Sequence, residues 1–193
     1  MRELFDHGGG VFALARSLGI PPEELLDFSA NINPLGPAPG VRDAVCSSFH
    51  RLAHYPDREC YELRRALAGF HHVDVANIVA ANGSTELIYL LPRLLPGGKG
   101  LIVAPAFSEY GRALEREGLD ADYLLLSPAD GFALSLEKLA ARLADGCDLL
   151  FLCNPANPTG AILPLSMMEE IHRLCSDTGT FLVLHQAFMD FRE

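Results

Sequence analysis

CNPANPTG, residues Cys153 to Gly160, sets two Asn-Pro dipeptides side by side and closes them with Thr-Gly. Proline fixes its own φ and pushes the preceding residue out of the helical region, so this stretch forces a non-helical turn. That turn holds Asn157 rigidly, with its side-chain amide able to point into a cleft. Immediately before it runs CDLLFLC (147–153), apolar without polar alternation. After it come a helical pattern over Ser166–Asp177 and a second apolar run, TFLVL (180–184). Apolar strand, rigid turn, helix and apolar strand form the repeating unit of a parallel sheet buried on both faces. The fold class is therefore α/β, a mostly parallel sheet with helices on both faces.

The same alternation extends upstream. IVAAN (78–82), GLIVAPA (100–106) and ADYLLLS (121–127) read as further strands. Thr85–Leu95, Ser108–Glu117 and Leu136–Ala144 read as the intervening helices. Ser166 with Glu169 forms a capping box at the start of the last helix. Nearer the N-terminus, VFALARSLG predicts a short helix ended by Gly19, and Pro21-Pro22 opens a second short piece. NINPLGPAPG predicts an extended connector, and Val41–Leu52 and Tyr61–Phe70 predict two more helices.

Composition narrows the function. With 49% hydrophobic and 21% charged residues and no internal repeat, the chain is neither disordered nor a solenoid. A net charge of −10 without a Lys/Arg cluster argues against nucleic acid and acidic membrane surfaces as partners, which leaves small-molecule chemistry. The five cysteines show no C-x-x-C spacing and suggest no metal site. Their odd number, and an N-terminus without a signal-peptide pattern, fit a reducing cytoplasm with free, mostly buried thiols. No apolar run approaches the ~20 residues of a membrane helix, and a cytoplasmic protein is expected.

Ligands of such sheets gather at the carboxyl ends of the strands. At the first of these, NGSTE (82–86), Gly83 allows close backbone approach. Ser84 and Thr85 offer hydroxyls and amides at a helix N-terminus, which suits an anion; an ordinary serine N-cap would look the same. At the second, APAFSEY (104–110), Phe107 is able to cover a flat ring and Tyr110 to add a hydroxyl, or both are core aromatics.

With NGSTE, PAF and HYPD (54–57) in order upstream of Asn154, Pro155, Asn157, Pro158, Thr159 and Gly160, the sequence resembles the aspartate-aminotransferase-like, fold type I pyridoxal-phosphate enzymes (aminotransferase class I/II). The loop matches their N-P-x-N-P-T-G signature. The resemblance implies that Gly83, Ser84 and Thr85 hold the phosphate of pyridoxal 5'-phosphate, that Phe107 stacks on its ring, and that Asn157 donates to its phenolic oxygen. Tyr55 matches a tyrosine that reaches the cofactor phosphate of the neighbouring subunit, which implies a homodimer. By the same resemblance, residues 1–36 are an N-terminal arm and small-domain segment, and 37–193 an incomplete cofactor-binding large domain.

HGGG (7–10), LLDFSANINPLG (25–36) and FSEYGRAL (107–114) look like the L-threonine-O-3-phosphate decarboxylases of cobalamin biosynthesis. Those enzymes release (R)-1-aminopropan-2-yl phosphate. The resemblance carries over His7 and Asn31 as contacts to the phosphate of a small phosphorylated amino-acid substrate. On residue type alone, His7 is a solvated terminal histidine and Asn31 a turn residue before Pro34. Histidinol-phosphate aminotransferases share the cofactor loops and supply an alternative activity, and a non-catalytic relic or binding module supplies another.

Three departures stand against ordinary catalysis. Where the family carries Asp-Glu-Ala before Phe or Tyr, with the aspartate on the cofactor's ring nitrogen, this chain has His185, Gln186, Ala187 and Phe188. It has no negative charge at that position; on residue type alone, His185 is a satisfied polar residue at a strand end. Asp190 lies beyond the strand and is not expected to substitute. The two lysines, Lys99 in a PGGKG turn and Lys138 on a helix face turned to solvent, are not placed to bind the cofactor covalently. The family's later lysine and C-terminal arginines have no match, since the resemblance spans about half the family's usual length. The sequence is therefore expected to be truncated before the Schiff-base lysine and inactive alone.

Overall fold

The computed structural model describes residues 8–191. The chain divides into two compact units, the first ending at Ala80 and the second beginning at Ala81.

The second unit carries a four-stranded sheet of β1 (Lys99–Ala104), β2 (Asp120–Leu125), β3 (Leu149–Cys153) and β4 (Phe181–His185). Its spatial order is β2-β1-β3-β4 and every pairing is parallel. Four of the five runs read as strands form it. Successive residues of a strand face opposite sides, and here each side has its own core. Leu101, Val103, Leu150 and Leu152 pack with Leu139, Leu143, Ile171 and Cys175, which belong to α6 (Leu136–Ala144) and α7 (Leu165–Thr178). Ile102, Leu149 and Phe151 pack on the other side with Tyr110, Ala113 and Leu114 of α5 (Glu109–Arg116) and Ile88 of α4 (Gly83–Leu90). β1 and β3 lie at the centre and are almost wholly buried, as a sheet covered on both faces requires. All five cysteines are free, and Cys147, Cys153 and Cys175 are buried.

The helix read over Thr85–Leu95 ends as α-helix at Leu90, and a 3-10 turn, Leu91–Leu94, follows. Pro92 in that turn lacks the N–H that would continue α4. The capping box is not formed: α7 begins at Leu165 with Pro164 at its N-cap and no side-chain cap, so Ser166 lies inside the first turn.

The first unit contains α1 (Val11–Leu18), α2 (Val41–Ser47) and α3 (Tyr61–His71). Gly19 ends α1 in the left-handed conformation, as read. The helix expected to Leu52 stops at Ser47, whose hydroxyl donates to Ala44 O at 3.1 Å, and a 3-10 segment runs from Phe49 to Ala53. IVAAN is not a strand. Ile78 has extended backbone, but its carbonyl accepts from Arg64 Nε at 2.9 Å and that of Val75 accepts from Arg64 Nη2 at 2.9 Å. The guanidinium thus takes the Ile78 carbonyl that a neighbouring strand would use and ties it to the preceding 3-10 turn. Among the described residues no helix is long and apolar enough to cross a membrane.

Candidate functional site

The turn after β3 is fixed by its own polar groups. Asn154 is 2% exposed; its Oδ1 accepts from Leu163 N at 2.9 Å and its Nδ2 donates to Leu163 O at 3.3 Å, clamping the two ends of the loop. Within the clamp Gly160 N donates to Ala156 O and Ala156 N to Ala161 O, each at 2.8 Å. Asn157 sits half-buried in this frame. The rigidity read from the two Asn-Pro pairs is thus completed by a buried amide that sequence reading treated only as a motif letter.

The same turn is tied to the end of β4. Asn154 N donates to His185 O at 3.0 Å, and His185 pairs in register with Cys153. His185 Nδ1 lies 2.6 Å from the Tyr110 hydroxyl, while its Nε2 is buried without a hydrogen-bond partner among the described residues. The Tyr110 ring is fully buried, stacked on Phe151 at 4.8 Å between centroids. Phe107 meets Tyr110 edge-on at 5.9 Å and His185 at 6.4 Å, so the aromatic residue after β1 and the histidine after β4 stand together. Burial pushes the Tyr110 phenol above its ordinary range and the His185 imidazole below its own. Both side chains are therefore neutral near pH 7. The contact between them was not foreseen: Tyr110 read as a possible hydroxyl or a core aromatic, and His185 as a missing negative charge or a polar residue at a strand end.

Gly83, Ser84 and Thr85 form the exposed first turn of α4, with Gly83 at φ 76°, a conformation natural to glycine. Asn82, rather than Ser84, is the N-cap, and its backbone N–H donates to Glu86 Oε2 at 2.6 Å. The hydroxyls of Ser84 and Thr85 are thus not spent on capping the helix. α4 is held near the aromatic cluster by Ile88, which shares the core with Tyr110 and Phe151, and by Tyr89, whose hydroxyl donates to Glu109 Oε2 at 2.6 Å.

In the first unit the two segments that carry the decarboxylase-like pattern meet. Gly9 N donates to Ser29 Oγ at 2.9 Å, and a Cβ on Gly8 would lie 1.6 Å from Ser29 O, so only glycine permits the approach. Asn31 lies exposed two residues further on, and Tyr55 is 100% exposed. His7 lies outside the described residues.

The sequence profile of the family "Aminotransferase class I and II" matches residues 23–192. The chain belongs to that family. Among curated relatives, this class I/II chain is 40% identical over 185 residues to a threonine-phosphate decarboxylase of Salmonella typhimurium strain LT2, covering 96% of this chain and 50% of the relative. It is 29% identical over 189 residues to a histidinol-phosphate aminotransferase of Methanococcoides burtonii, covering 96% and 51%. Among solved structures, histidinol-phosphate aminotransferase of Sinorhizobium meliloti in complex with pyridoxal-5'-phosphate superposes with a TM-score of 0.79 at 26% identity, covering 92% of this chain and 47% of that one. The chain spans about half the length of the relatives it matches.

Neither lysine of this class I/II chain stands at the carboxyl ends of the strands. Lys99 opens β1, roughly 16 Å of strand away from its carboxyl end, and its Nζ pairs with Asp122 at 3.2 Å. Lys138 is exposed on α6. Asp190 is exposed in a 3-10 turn, Met189–Phe191, beyond β4.

Proposed function

We propose that this chain is the cofactor-binding half of a pyridoxal-phosphate enzyme of the threonine-phosphate decarboxylase type, acting on a small phosphorylated amino acid. What carries the reading is the cluster at the carboxyl ends of β1, β3 and β4: the loop clamped by Asn154, with Phe107, Tyr110 and His185 beside it.

The residues fit the cofactor. The first turn of α4 offers hydroxyls not used in capping and a helix N-terminus to a phosphate, Phe107 offers an aromatic face, and the buried Nε2 of His185, without a partner among the described residues, offers a contact for a polar ring atom. Ser84, Thr85 and the Gly83 backbone would hold the phosphate, because amide hydrogens and the helix dipole favour an anion there. Phe107 would cover the ring and exclude water from it. Asn157 would donate its amide to the phenolic oxygen and so fix the ring's rotation. When bound, pyridoxal phosphate supplies an electron-withdrawing system that weakens the bonds at the Cα of an attached amino acid; the protein orients and tunes it.

His7 and Asn31 would bind the substrate's phosphate, and the contact of Gly9 with Ser29 supports this by joining the segments that carry them. Tyr55 would serve the partner subunit's site in a homodimer. Its complete exposure supports that, as do Leu26, Phe28, Ile32, Leu35, Phe49 and Leu52, each at least 70% exposed in this chain. A second reading, transamination of histidinol phosphate, is supported by the 29% identity to the Methanococcoides burtonii enzyme.

The test is product analysis. The purified full-length protein, given pyridoxal phosphate and L-threonine O-3-phosphate, is expected to release CO2 and 1-aminopropan-2-yl phosphate. Formation of a keto compound from histidinol phosphate and a keto-acid acceptor, without CO2, would favour the second reading. Neither product would leave a binding role only.

A further inference from the structure

The proposed site contains a histidine whose two ring nitrogens are treated differently. Nδ1 of His185 has a partner 2.6 Å away in the Tyr110 hydroxyl; Nε2 is buried and has none among the described residues. One hydrogen lies between two neutral groups, and its position decides what the other nitrogen can do. Phenol is the stronger acid of the pair and imidazole nitrogen the stronger base. A separation of 2.6 Å is short even for a hydroxyl donor and shorter than the usual 2.9–3.0 Å of N–H···O contacts. The competing neighbour, Cys153, donates its thiol to Pro155 O at 3.2 Å and is a weak acceptor for the phenol. The phenol therefore donates to Nδ1, and the imidazole hydrogen must sit on Nε2.

We propose that Tyr110 holds His185 as the Nε2–H tautomer and that this N–H donates to the ring nitrogen of a bound pyridine, selecting the unprotonated ring. A carboxylate at the same position would accept a hydrogen bond and select the protonated ring; a neutral N–H donor facing a pyridinium N–H would leave two hydrogens opposed. His185 thus does more than remove a negative charge. It reverses the direction of the hydrogen bond offered to the ring nitrogen, and with it the ring's protonation and electron demand. Tyr110 acts here as a positioning residue. The surroundings support a neutral imidazole: Tyr110 and Phe107 face it, uncharged Cys153 is its register partner on β3, and burial disfavours the imidazolium. The inference rests on the cofactor reading of the preceding section.

Nitrogen-15 NMR tests it on the full-length protein. In histidine-labelled protein at pH 7 without ligand, the His185 signals, assigned by their loss in His185→Gln, are expected to show hydrogen on Nε2. Tyr110→Phe is expected to release this preference, giving a mixture of tautomers. With pyridoxal phosphate labelled at its ring nitrogen, the bound resonance is expected in the unprotonated pyridine range, and to shift to the pyridinium range in His185→Asp. Hydrogen on Nδ1, an imidazolium, or a protonated ring nitrogen in the unaltered protein would overturn the inference while leaving cofactor binding intact. Absence of saturable pyridoxal phosphate binding would overturn the cofactor reading itself, and the ligand-free tautomer would still decide the role of Tyr110.

Discussion

The hydroxyl of Tyr110 lies 2.6 Å from Nδ1 of His185, although 75 positions separate the two residues. Tyr110 follows β1, His185 ends β4, and β3 runs between those strands in the sheet. The contact therefore depends on the whole parallel arrangement rather than on any local segment. Removing the hydroxyl in Tyr110→Phe leaves an imidazole nitrogen buried without its partner. A loss of about 1–3 kcal/mol is expected, read by urea unfolding. A change below about 0.5 kcal/mol would mean that the hydrogen bond does not hold the strand ends together.

Stability should depend on pH through His185. Burial lowers its pKa in the folded state relative to an ordinary value of 6.5, so below that pH the unfolded chain binds more protons than the folded one. The contribution is fully present above pH 6.5 and is lost as pH falls from there toward the depressed folded value. Asp122, held at about 2 by Arg142, and Asp27, lowered by the Ser29 hydroxyl, lose their contributions only below their ordinary value of 3.8. Between about pH 6.5 and 4, His185→Gln should therefore show a flatter decline in unfolding free energy than the unaltered protein. Parallel curves would assign the acid loss elsewhere.

Asn154 is expected to matter more for the loop than Asn157 does for stability. Asn154→Ala strips both backbone groups of half-buried Leu163 of their partner, at a cost of about 1–3 kcal/mol. Asn157→Ala, half-buried and proposed to face the cofactor, should cost less in unfolding free energy than Asn154→Ala. Chemical denaturation of the two variants side by side checks the contrast.

Gly8→Ala forces a Cβ to within 1.6 Å of the Ser29 carbonyl oxygen, so the backbone must move and the Gly9 contact to Ser29 is lost. If that junction sets the substrate-phosphate site, KM for threonine phosphate should rise about tenfold, the equivalent of ~1.4 kcal/mol. The pyridoxal phosphate spectrum should not change. A variant with altered cofactor binding and unaltered KM would separate the junction from substrate recognition.

Much of the second unit was legible in the sequence because its signals are local. Short, mostly apolar runs marked β1 to β4, and CNPANPTG marked the rigid turn before Asn157. The failures also have local causes. IVAAN has the composition of a strand, but pairing is not a property of composition, and the Arg64 guanidinium takes the Ile78 carbonyl that a partner strand would use. Val41–Leu52 keeps an apolar pattern beyond Ser47, yet the serine hydroxyl bonds to the backbone and the last turn tightens to 3-10. Ser166 and Glu169 have capping-box spacing, but the helix starts at Leu165 and its N-cap is Pro164, two residues before Ser166. The role of Tyr110 was hidden because a tyrosine in an apolar environment reads as core, and only the sheet order brings His185 to its hydroxyl.

The most direct test of the central claim is an absorption titration of the full-length protein with pyridoxal phosphate, run alongside Asn157→Ala and Lys99→Ala. The account predicts saturable binding that weakens by about tenfold or more in Asn157→Ala, the loss of one hydrogen bond to a charged ligand oxygen, and that is unchanged in Lys99→Ala. Absence of saturable binding, or binding that vanishes with Lys99 and ignores Asn157, would contradict it.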